Sequence, residues 1–419
     1  LAINAVGYEG DQPLWSTNGR WVVVFNGEIY NYAKIREDHS LGNIGPSDGA
    51  VVPELLDRFG PMGLAQLRGM FAICAVDTWE RRIVIAVDPF GIKPLYWTRI
   101  GRTVLAASEP GPLVRELPSK TLDSASIATY LYLGAMSSSS SGYVEVERLQ
   151  PGSWIMLSEL GIVDSGWTFD VEEGESTTPG WKSVAESFGD SVTAHLMSDV
   201  PVSLLMSDGV DSGAIAVELA RAGADVTALT VDLGGVKRSE ATGARVLCDN
   251  LGIAQRTITR QPESEDFMDF FRAMPRPTVD GLNTFLVCRA VAEESFKVAL
   301  SGLGGDELLT AYTSEGRLLT ARLLSSLPTL ASRGVVWASK RGFSFDDAKA
   351  YLASSPGGRF PRRAQDFVYL TRQVWTIPDV VRLTGEKPPP ALPSHFAQSA
   401  AATTLQNEAS CAQIAAYQS

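Results

Sequence analysis

The stretch Val202-Ser-Leu-Leu-Met-Ser-Asp-Gly-Val-Asp-Ser-Gly-Ala-Ile-Ala216 determines how the second half of this 419-residue chain folds. Its apolar beginning predicts a buried strand over 202–206, and the residues that follow predict a helix over 213–222. A helix begins with unpaired backbone N–H groups and the positive end of its dipole, so the intervening turn, Ser207–Ser212, is typical of an anion site. Taken alone, the segment could equally be an ordinary helix cap made of serine and aspartate.

Three residue types in this turn favour a polyphosphate. The hydroxyls of Ser207 and Ser212 can donate to phosphate oxygens, and Gly209 allows the backbone to approach closely. Asp211 is placed to hold the Mg²⁺ ion that accompanies ATP. The turn therefore predicts an ATP site.

A second strand ends in a similar turn, in the stretch Lys297-Val-Ala-Leu-Ser-Gly-Leu-Gly-Gly-Asp-Glu-Leu308. Loops at the carboxyl ends of neighbouring parallel strands meet in one crevice, so we expect Asp306 to lie beside Asp211 as a second magnesium ligand. The chain has no GxxxxGKS/T motif, which excludes a P-loop enzyme, and Gly302-Leu-Gly-Gly305 lacks the full dinucleotide fingerprint.

The pattern of strands and helices changes along the chain. The first part is strand-dominated, and a five-serine run at 137–141 predicts a mobile loop. The acidic, turn-rich segment 171–180 predicts a domain boundary. Strands then alternate with helices, which predicts a doubly wound parallel sheet. The predicted strands are 21–25, 71–76, 82–87, 153–157, 202–206, 226–231 and 255–258, and the predicted helices are 51–59, 181–197, 213–222 and 241–251.

Composition excludes several classes of protein. With 36 basic and 48 acidic residues the net charge is −12, which argues against nucleic acid as a partner. No apolar stretch is long enough to span a membrane. The four cysteines are far apart, which predicts a reducing cytoplasm and buried structural thiols. The three histidines are isolated and are interpreted as surface residues. These cysteines and histidines are Cys74, Cys248, Cys288 and Cys411, and His39, His195 and His395.

The first part carries its own motifs. They are Phe25-Asn-Gly-Glu-Ile-Tyr-Asn-Tyr32, Ser47-Asp48, Gly69-Met-Phe-Ala72 and Asp88-Pro-Phe-Gly-Ile-Lys-Pro-Leu-Tyr96. The side chain of Asn26 and the N–H of Gly27 can form an oxyanion hole, while Glu28 and Asp48 can hold a substrate ammonium. For Asn26-Gly27 taken alone, a hairpin turn would be the favoured interpretation.

Together these segments resemble the asparagine synthetase family, the glutamine-dependent amide-forming enzymes with an ATP-pyrophosphatase domain. The resemblance covers nearly the whole chain. It implies an α/β fold in which an αββα N-terminal-nucleophile glutaminase domain, residues 1–170, precedes a linker, 171–180. A doubly wound ATP-pyrophosphatase domain with a helical carboxyl-terminal part would then occupy residues 181–419.

The resemblance also implies the site residues. Glutamine would bind at Asn26, Gly27, Glu28 and Asp48, with Asn26 and Gly27 catalytic. Mg²⁺ would bind at Asp211 and Asp306. The residues implied for ATP are Leu205, Ser207, Asp208, Gly209, Val210, Asp211, Ser212, Val231, Ser301 and Gly302.

The implied reaction uses ATP and Mg²⁺ to adenylate a carboxylate substrate, releasing pyrophosphate. Ammonia from glutamine then attacks the acyl-adenylate and expels AMP. The family's nucleophile is an N-terminal cysteine, and because the sequence begins at Leu1 we expect it to start inside a longer polypeptide. The resemblance favours a cytoplasmic enzyme with no membrane partner, and a homodimer is among the expected assemblies.

Three departures from the family pattern keep alternatives open. Leu303 stands where asparagine-forming members commonly have glutamate, Asp208 replaces a glycine, and the chain stops before the family's pyrophosphate-stabilising basic residues. One alternative is a cyclase that uses an amine within its substrate, as β-lactam synthetases and lasso-peptide cyclases do. The other is a catalytically silent paralogue that binds nucleotide.

Overall fold

The computed structural model describes residues 3–5, 7, 10–137, 139–169, 180–233, 240–278, 281–305 and 377–386. The strands are β1 (Leu14–Trp15), β2 (Trp21–Ile29), β3 (Gly69–Asp77), β4 (Arg82–Val87), β5 (Tyr96–Ile100), β6 (Thr103–Ala107), β7 (Glu147–Arg148), β8 (Ser153–Ser158), β9 (Gly161–Trp167), β10 (Val202–Leu205), β11 (Val226–Asp232), β12 (Ala254–Thr259) and β13 (Val298–Leu300). The helices are α1 (Tyr32–Asp38), α2 (Val51–Phe59), α3 (Pro110–Glu116), α4 (Ser124–Leu133), α5 (Trp181–Ala194), α6 (Val210–Arg221), α7 (Ala241–Leu251), α8 (Ser264–Ala273), α9 (Leu282–Glu293) and α10 (Ile377–Thr384).

The described residues fall into two compact units. The first unit contains those within 1–95, 149–274 and 281–303. The second contains those within 96–148, 275–280 and 304–419, and it includes a small antiparallel sheet in the order β6-β5-β7.

A six-stranded antiparallel sheet in the first unit has the order β1-β2-β3-β4-β8-β9. Alternate side chains along these strands point to one face, where Val23, Ile73 and Val84 are completely buried. Helix α2 covers the same core with Val51, Val52, Leu55 and Leu56. β2 and β3 pair over their whole lengths, so the residues of β2 are held in a fixed register.

The parallel sheet of the first unit has the order β12-β11-β10-β13. The chain moves outward from β10 to β11 and β12 and then returns to the other side of β10 as β13. In the register, Leu204 of β10 lies beside Ala228 on one side and Leu300 on the other. The reversal of direction makes a topological switch point between β10 and β13, where open α/β sheets bind ligands. The predicted fold class, α/β with an antiparallel part before a doubly wound sheet, is confirmed.

Two local predictions need correction. The helix predicted over 213–222 begins at Val210, because Asp211 in its first turn interacts favourably with the helix dipole and extends the helix backward. The serine run is only partly solvated where it is described: Ser139 is exposed, but Ser141 is only 4% exposed and donates to the Val146 carbonyl at 2.6 Å. Serine hydroxyls replace water as partners of the turn's backbone groups, which makes burial possible.

Other predictions fall on residues outside the described ranges. These are the linker over 171–179, Asp306, Cys411, His395 and the helix-rich region after 312, apart from α10. No helix among the described residues combines the length and apolarity required to cross a membrane.

Candidate functional site

The turn between β10 and α6 is organised by its two serines. The Ser207 and Ser212 hydroxyl oxygens are 3.0 Å apart, and the Ser207 N–H donates to Ser212 Oγ at 3.2 Å. The Gly209 N–H donates to Ser207 Oγ at 3.1 Å. Gly209 has extended backbone angles and immediately precedes the helix, so the first N–H groups of α6 face the turn. This is the arrangement that binds phosphate at a helix N-terminus.

The loop after β13 touches this turn. A Cβ added at Gly302 would lie 2.8 Å from the Asp211 Cβ and 3.2 Å from the Ser212 nitrogen, so only glycine fits there. Both loops leave the carboxyl ends of neighbouring strands, one on each side of the switch point. The structure therefore brings Asp211, Ser212 and Gly302 together. Asp306, the second expected magnesium ligand, lies outside the described residues.

The other residues expected at ATP lie around this crevice. Leu205 ends β10 and Val231 lies near the end of β11, both half-buried, while Ser301 follows β13 and is exposed. Val210 is exposed in the first turn of α6. Asp208 is exposed too, but its Cβ lies against Gly243 of α7, only 2.7 Å from where a Gly243 Cβ would be. Asp208 is thus packed against the neighbouring helix.

Asn26 and Gly27 lie inside β2, where they pair with Ala72 and Phe71. This excludes the hairpin turn as an interpretation of Asn26-Gly27. The side chain of Asn26 is exposed. A Cβ on Gly27 would lie 2.0 Å from the Met70 carbonyl oxygen, so the close approach of β2 and β3 requires glycine.

The backbone of Gly27 faces the edge of β2 that β3 does not cover. Its register partner, Phe71, uses its N–H and its carbonyl to bond Asp88 on the other side. Peptide groups two residues apart along a strand point to the same edge, and Phe25 bonds Gln12 at the uncovered edge. The Gly27 N–H therefore points to the β1 side of β2, beyond the residues that β1 and Gln12 pair, and next in sequence to Asn26. Two donors near one point are what an oxyanion hole needs.

Two buried carboxylates lie beside this edge. Glu28 is 6% exposed and Asp48 is 3% exposed. Asp48 Oδ2 accepts the Ile29 N–H at 2.7 Å, which ties the turn before α2 to β2. Glu28 Oε2 is buried and has no hydrogen-bond partner among the described residues. An ammonium group would satisfy that oxygen.

Burial sets the electrostatics of this carboxylate pair. Burial, followed by repulsion from Asp48, raises the pKa of Glu28 to about 7, although Lys93 acts in the opposite direction. Burial also raises the pKa of Asp48, against the effect of the Ile29 N–H. A buried carboxylate of this kind gains most from a bound cation, because the cation restores the interaction that water would have supplied.

Two histidines are not isolated, although His195 is exposed at the end of its helix as expected and His39 is half-buried. The ring of His195, at the end of α5, lies 4.5 Å from the ring of Tyr30, and its Nδ1 bonds the Ser191 carbonyl. His39 bonds Gln66 and packs on Phe59. Sequence reasoning could not find the contacts with Tyr30, Gln66 and Phe59, because each joins elements that are distant along the chain or separated by a turn. Cys288 is exposed, which corrects the expectation of a buried thiol there, whereas Cys248 is buried.

Sequence reasoning also missed Gln12. Its carboxamide bonds both main-chain groups of Phe25, the residue before Asn26. The only signal available was its position in the register of β1, which could be recognised only once the pairing of β1 with β2 was known.

Fold and site together define an α/β protein with a serine-rich turn before a helix at the switch point of its parallel sheet and two buried carboxylates beside a strand of its antiparallel sheet. Two family models match the chain: a glutamine amidotransferase domain over residues 1–168 and asparagine synthase over residues 183–415, more than half of the chain. The chain belongs to the asparagine synthase family.

Two relatives show the degree of similarity. Asparagine synthetase 1 (glutamine-hydrolyzing) of Bacillus subtilis strain 168 is 28% identical over 335 residues, which cover 76% of this chain and 52% of the relative. A putative glutamine-hydrolyzing asparagine synthetase of Mycobacterium bovis is 30% identical over 348 residues, which cover 77% of this chain and 52% of the relative. The chain thus spans about half the length of these relatives.

Proposed function

We propose that the full-length protein is a carbon–nitrogen ligase that forms an amide from a carboxylate, with ATP as the activating substrate and glutamine as the ammonia donor. The observation that carries the proposal is the contact between the β10–α6 turn and Gly302 at the switch point. This contact supports a single crevice bordered by the helix N-terminus, two serine hydroxyls and Asp211. The β2 edge supplies the matching glutamine site.

In this proposal each group of the ATP crevice has a separate task. The serines and the first N–H groups of α6 hold the β- and γ-phosphates, which leaves the α-phosphorus open to the acceptor carboxylate. Attack of the carboxylate oxygen on the α-phosphorus gives acyl-adenylate and pyrophosphate. Ammonia then attacks the acyl carbon, and AMP leaves.

Mg²⁺ fits the residues of this crevice. The Asp211 carboxylate can supply the oxygen ligand that Mg²⁺ prefers, and the lack of a side chain at Gly302 lets the second loop lie close to Asp211. When bound, the ion would neutralise charge on the polyphosphate. We propose Asp211 as its ligand, together with Asp306.

At the glutamine site, Glu28 and Asp48 bind the substrate ammonium, and the Asn26 amide with the Gly27 N–H stabilises the tetrahedral oxyanion.

We further propose that residues 1–170 and 181–419 are separate domains joined by 171–180. A cytoplasmic homodimer without nucleic-acid or membrane partners remains the expected setting. Leu303 is 67% exposed and cannot act as a base, so this position does not point to asparagine as the product. The acceptor carboxylate is to be identified with a panel of substrates.

The products of ATP turnover test the proposal. Full-length protein with Mg²⁺, ATP, glutamine and a panel of amino-acid and small carboxylates should release AMP and pyrophosphate with one acceptor. Asp211→Asn should abolish this release. Asp225→Asn, at an exposed position before β11 and so at the opposite end of the parallel sheet, is the matched control and should leave it unchanged. Formation of ADP would refute the proposed adenylation.

A further inference from the structure

The Gln12 carboxamide makes a two-point contact with the main chain of β2. Its Nε2 donates to the Phe25 carbonyl at 2.8 Å, and its Oε1 accepts the Phe25 N–H at 2.7 Å. A neighbouring strand would supply this same donor and acceptor pair. Here a side chain supplies both.

The register of β1 explains why Gln12 occupies this place. β1 pairs antiparallel with β2, with Leu14 opposite Val23 and Trp15 opposite Val22. Continuing that register by two residues puts position 12 opposite Phe25. The main-chain ladder ends at Leu14, the first residue of β1. The Gln12 side chain therefore extends the pairing beyond the end of the strand.

Phe25 is also fixed through its ring. The Phe25 Cε1 lies 2.0 Å from where a Cβ on Gly49 would be, so the ring occupies the space next to Asp48. The residue before Asn26 is thus held at its main chain by Gln12 and at its side chain by the turn that carries Asp48. The next residue of β2 whose N–H points to this edge is Gly27.

We propose that Gln12 is a positioning residue for the oxyanion donors Asn26 and Gly27. It contacts neither of them and acts through Phe25, by keeping the uncovered edge of β2 in strand geometry where two donors must converge. A misplacement of about 1 Å in such donors is costly, because they must match the oxyanion and not the ground-state carbonyl. The inference rests on the proposed glutamine hydrolysis.

The test uses the full-length protein and steady-state kinetics of glutamine hydrolysis. Gln12→Ala removes both hydrogen bonds. Gln12→Glu keeps the length and the acceptor but removes the donor to the Phe25 carbonyl. Gln261→Ala is the matched control, since Gln261 is also exposed and also precedes a proline, in the loop between β12 and α8. Amide synthesis from added ammonia is measured for every variant.

Both Gln12 variants should lower kcat about tenfold, less than the loss of a whole oxyanion donor, with KM within about twofold of wild type. Gln261→Ala should match wild type, and synthesis from ammonia should be unchanged in all three. An unchanged kcat, a rise in KM alone, or a parallel loss of ammonia-dependent synthesis would each overturn the inference. A wild-type protein that hydrolyses no glutamine would instead refute the proposed function, and the inference with it.

Discussion

At the scale of single residues, Gly27 has the tightest constraint in the glutamine site. A methyl group there would meet the Met70 carbonyl at 2.0 Å, and β2 and β3 pair along their whole lengths and cannot separate locally. Gly27→Ala should therefore lower the free energy of unfolding by about 3 kcal/mol or more. Denaturant unfolding measures this.

The control for Gly27→Ala is Gly19→Ala. Gly19 has φ +73° and nothing within 4 Å of the place that a Cβ would occupy, so the substitution costs only the left-handed backbone, about 1 kcal/mol. Equal losses in the two variants would show that backbone conformation, and not the approach of the two strands, sets the requirement at Gly27.

Glu28 makes stability depend on pH. Its folded-state pKa of about 7 lies above the ordinary carboxyl value, so the folded state favours the protonated form. The stability associated with this group is complete below the ordinary value of 4.5 and is lost as pH rises toward 7. Relative to Glu28→Gln, wild type should lose about 2–3 kcal/mol across that range.

Unfolding curves at a series of pH values test this, with Glu116→Gln at an exposed position as the control. Parallel pH dependences of wild type and Glu28→Gln would contradict a raised pKa for the buried Glu28 carboxylate. Bound glutamine should reduce the loss, because its ammonium stabilises the ionised form.

At the scale of elements, the loops after β10 and β13 can contact each other because Gly302 has no side chain. Gly302→Ala would push its methyl group against the Asp211 Cβ at 2.8 Å and so separate the two loops. The change lies outside the strands, so we expect the fold to survive and ATP affinity to fall at least tenfold. Titration calorimetry with ATP and Mg²⁺ measures it.

Leu303→Ala is the comparison for that loop. Leu303 is exposed and its removal leaves the contact with Asp211 intact, so ATP affinity should stay within about twofold. If Gly302→Ala bound ATP as tightly as wild type, the contact between the two loops would have no part in nucleotide binding.

At the scale of the whole molecule, the two candidate sites lie on different sheets, so a substitution in one site should leave the activity of the other site intact. In the full-length protein, Asn26→Ala should slow glutamine hydrolysis by roughly 100- to 1,000-fold while ammonia-dependent synthesis continues. Asp211→Asn should abolish adenylation and leave glutamine hydrolysis largely intact. Loss of both activities from either variant would contradict the separation of the two sites.

Local runs of residues were enough to predict the type and order of the main elements. β2, β3, β4 and β8 appear where β-branched and apolar runs predict strands, and α2 and α7 have the predicted bounds. Local patterns succeed here because side-chain periodicity and turn residues act over a few positions. The Ser207–Ser212 turn was likewise recognisable from the sequence, since a strand, a turn and a helix follow one another along the chain.

Which groups face one another is a property of the tertiary fold. The strand order that puts β13 beside β10 brings Gly302 to Asp211, 91 residues away along the chain. The pairing of β2 with β3 shows that Asn26-Gly27 lies within a strand and not in a hairpin turn. The pairing of β1 with β2 brings the Gln12 side chain to the main chain of Phe25. The contact between the rings of His195 and Tyr30 also depends on the tertiary fold. Such contacts depend on chain reversals and register, which no local run of residues encodes.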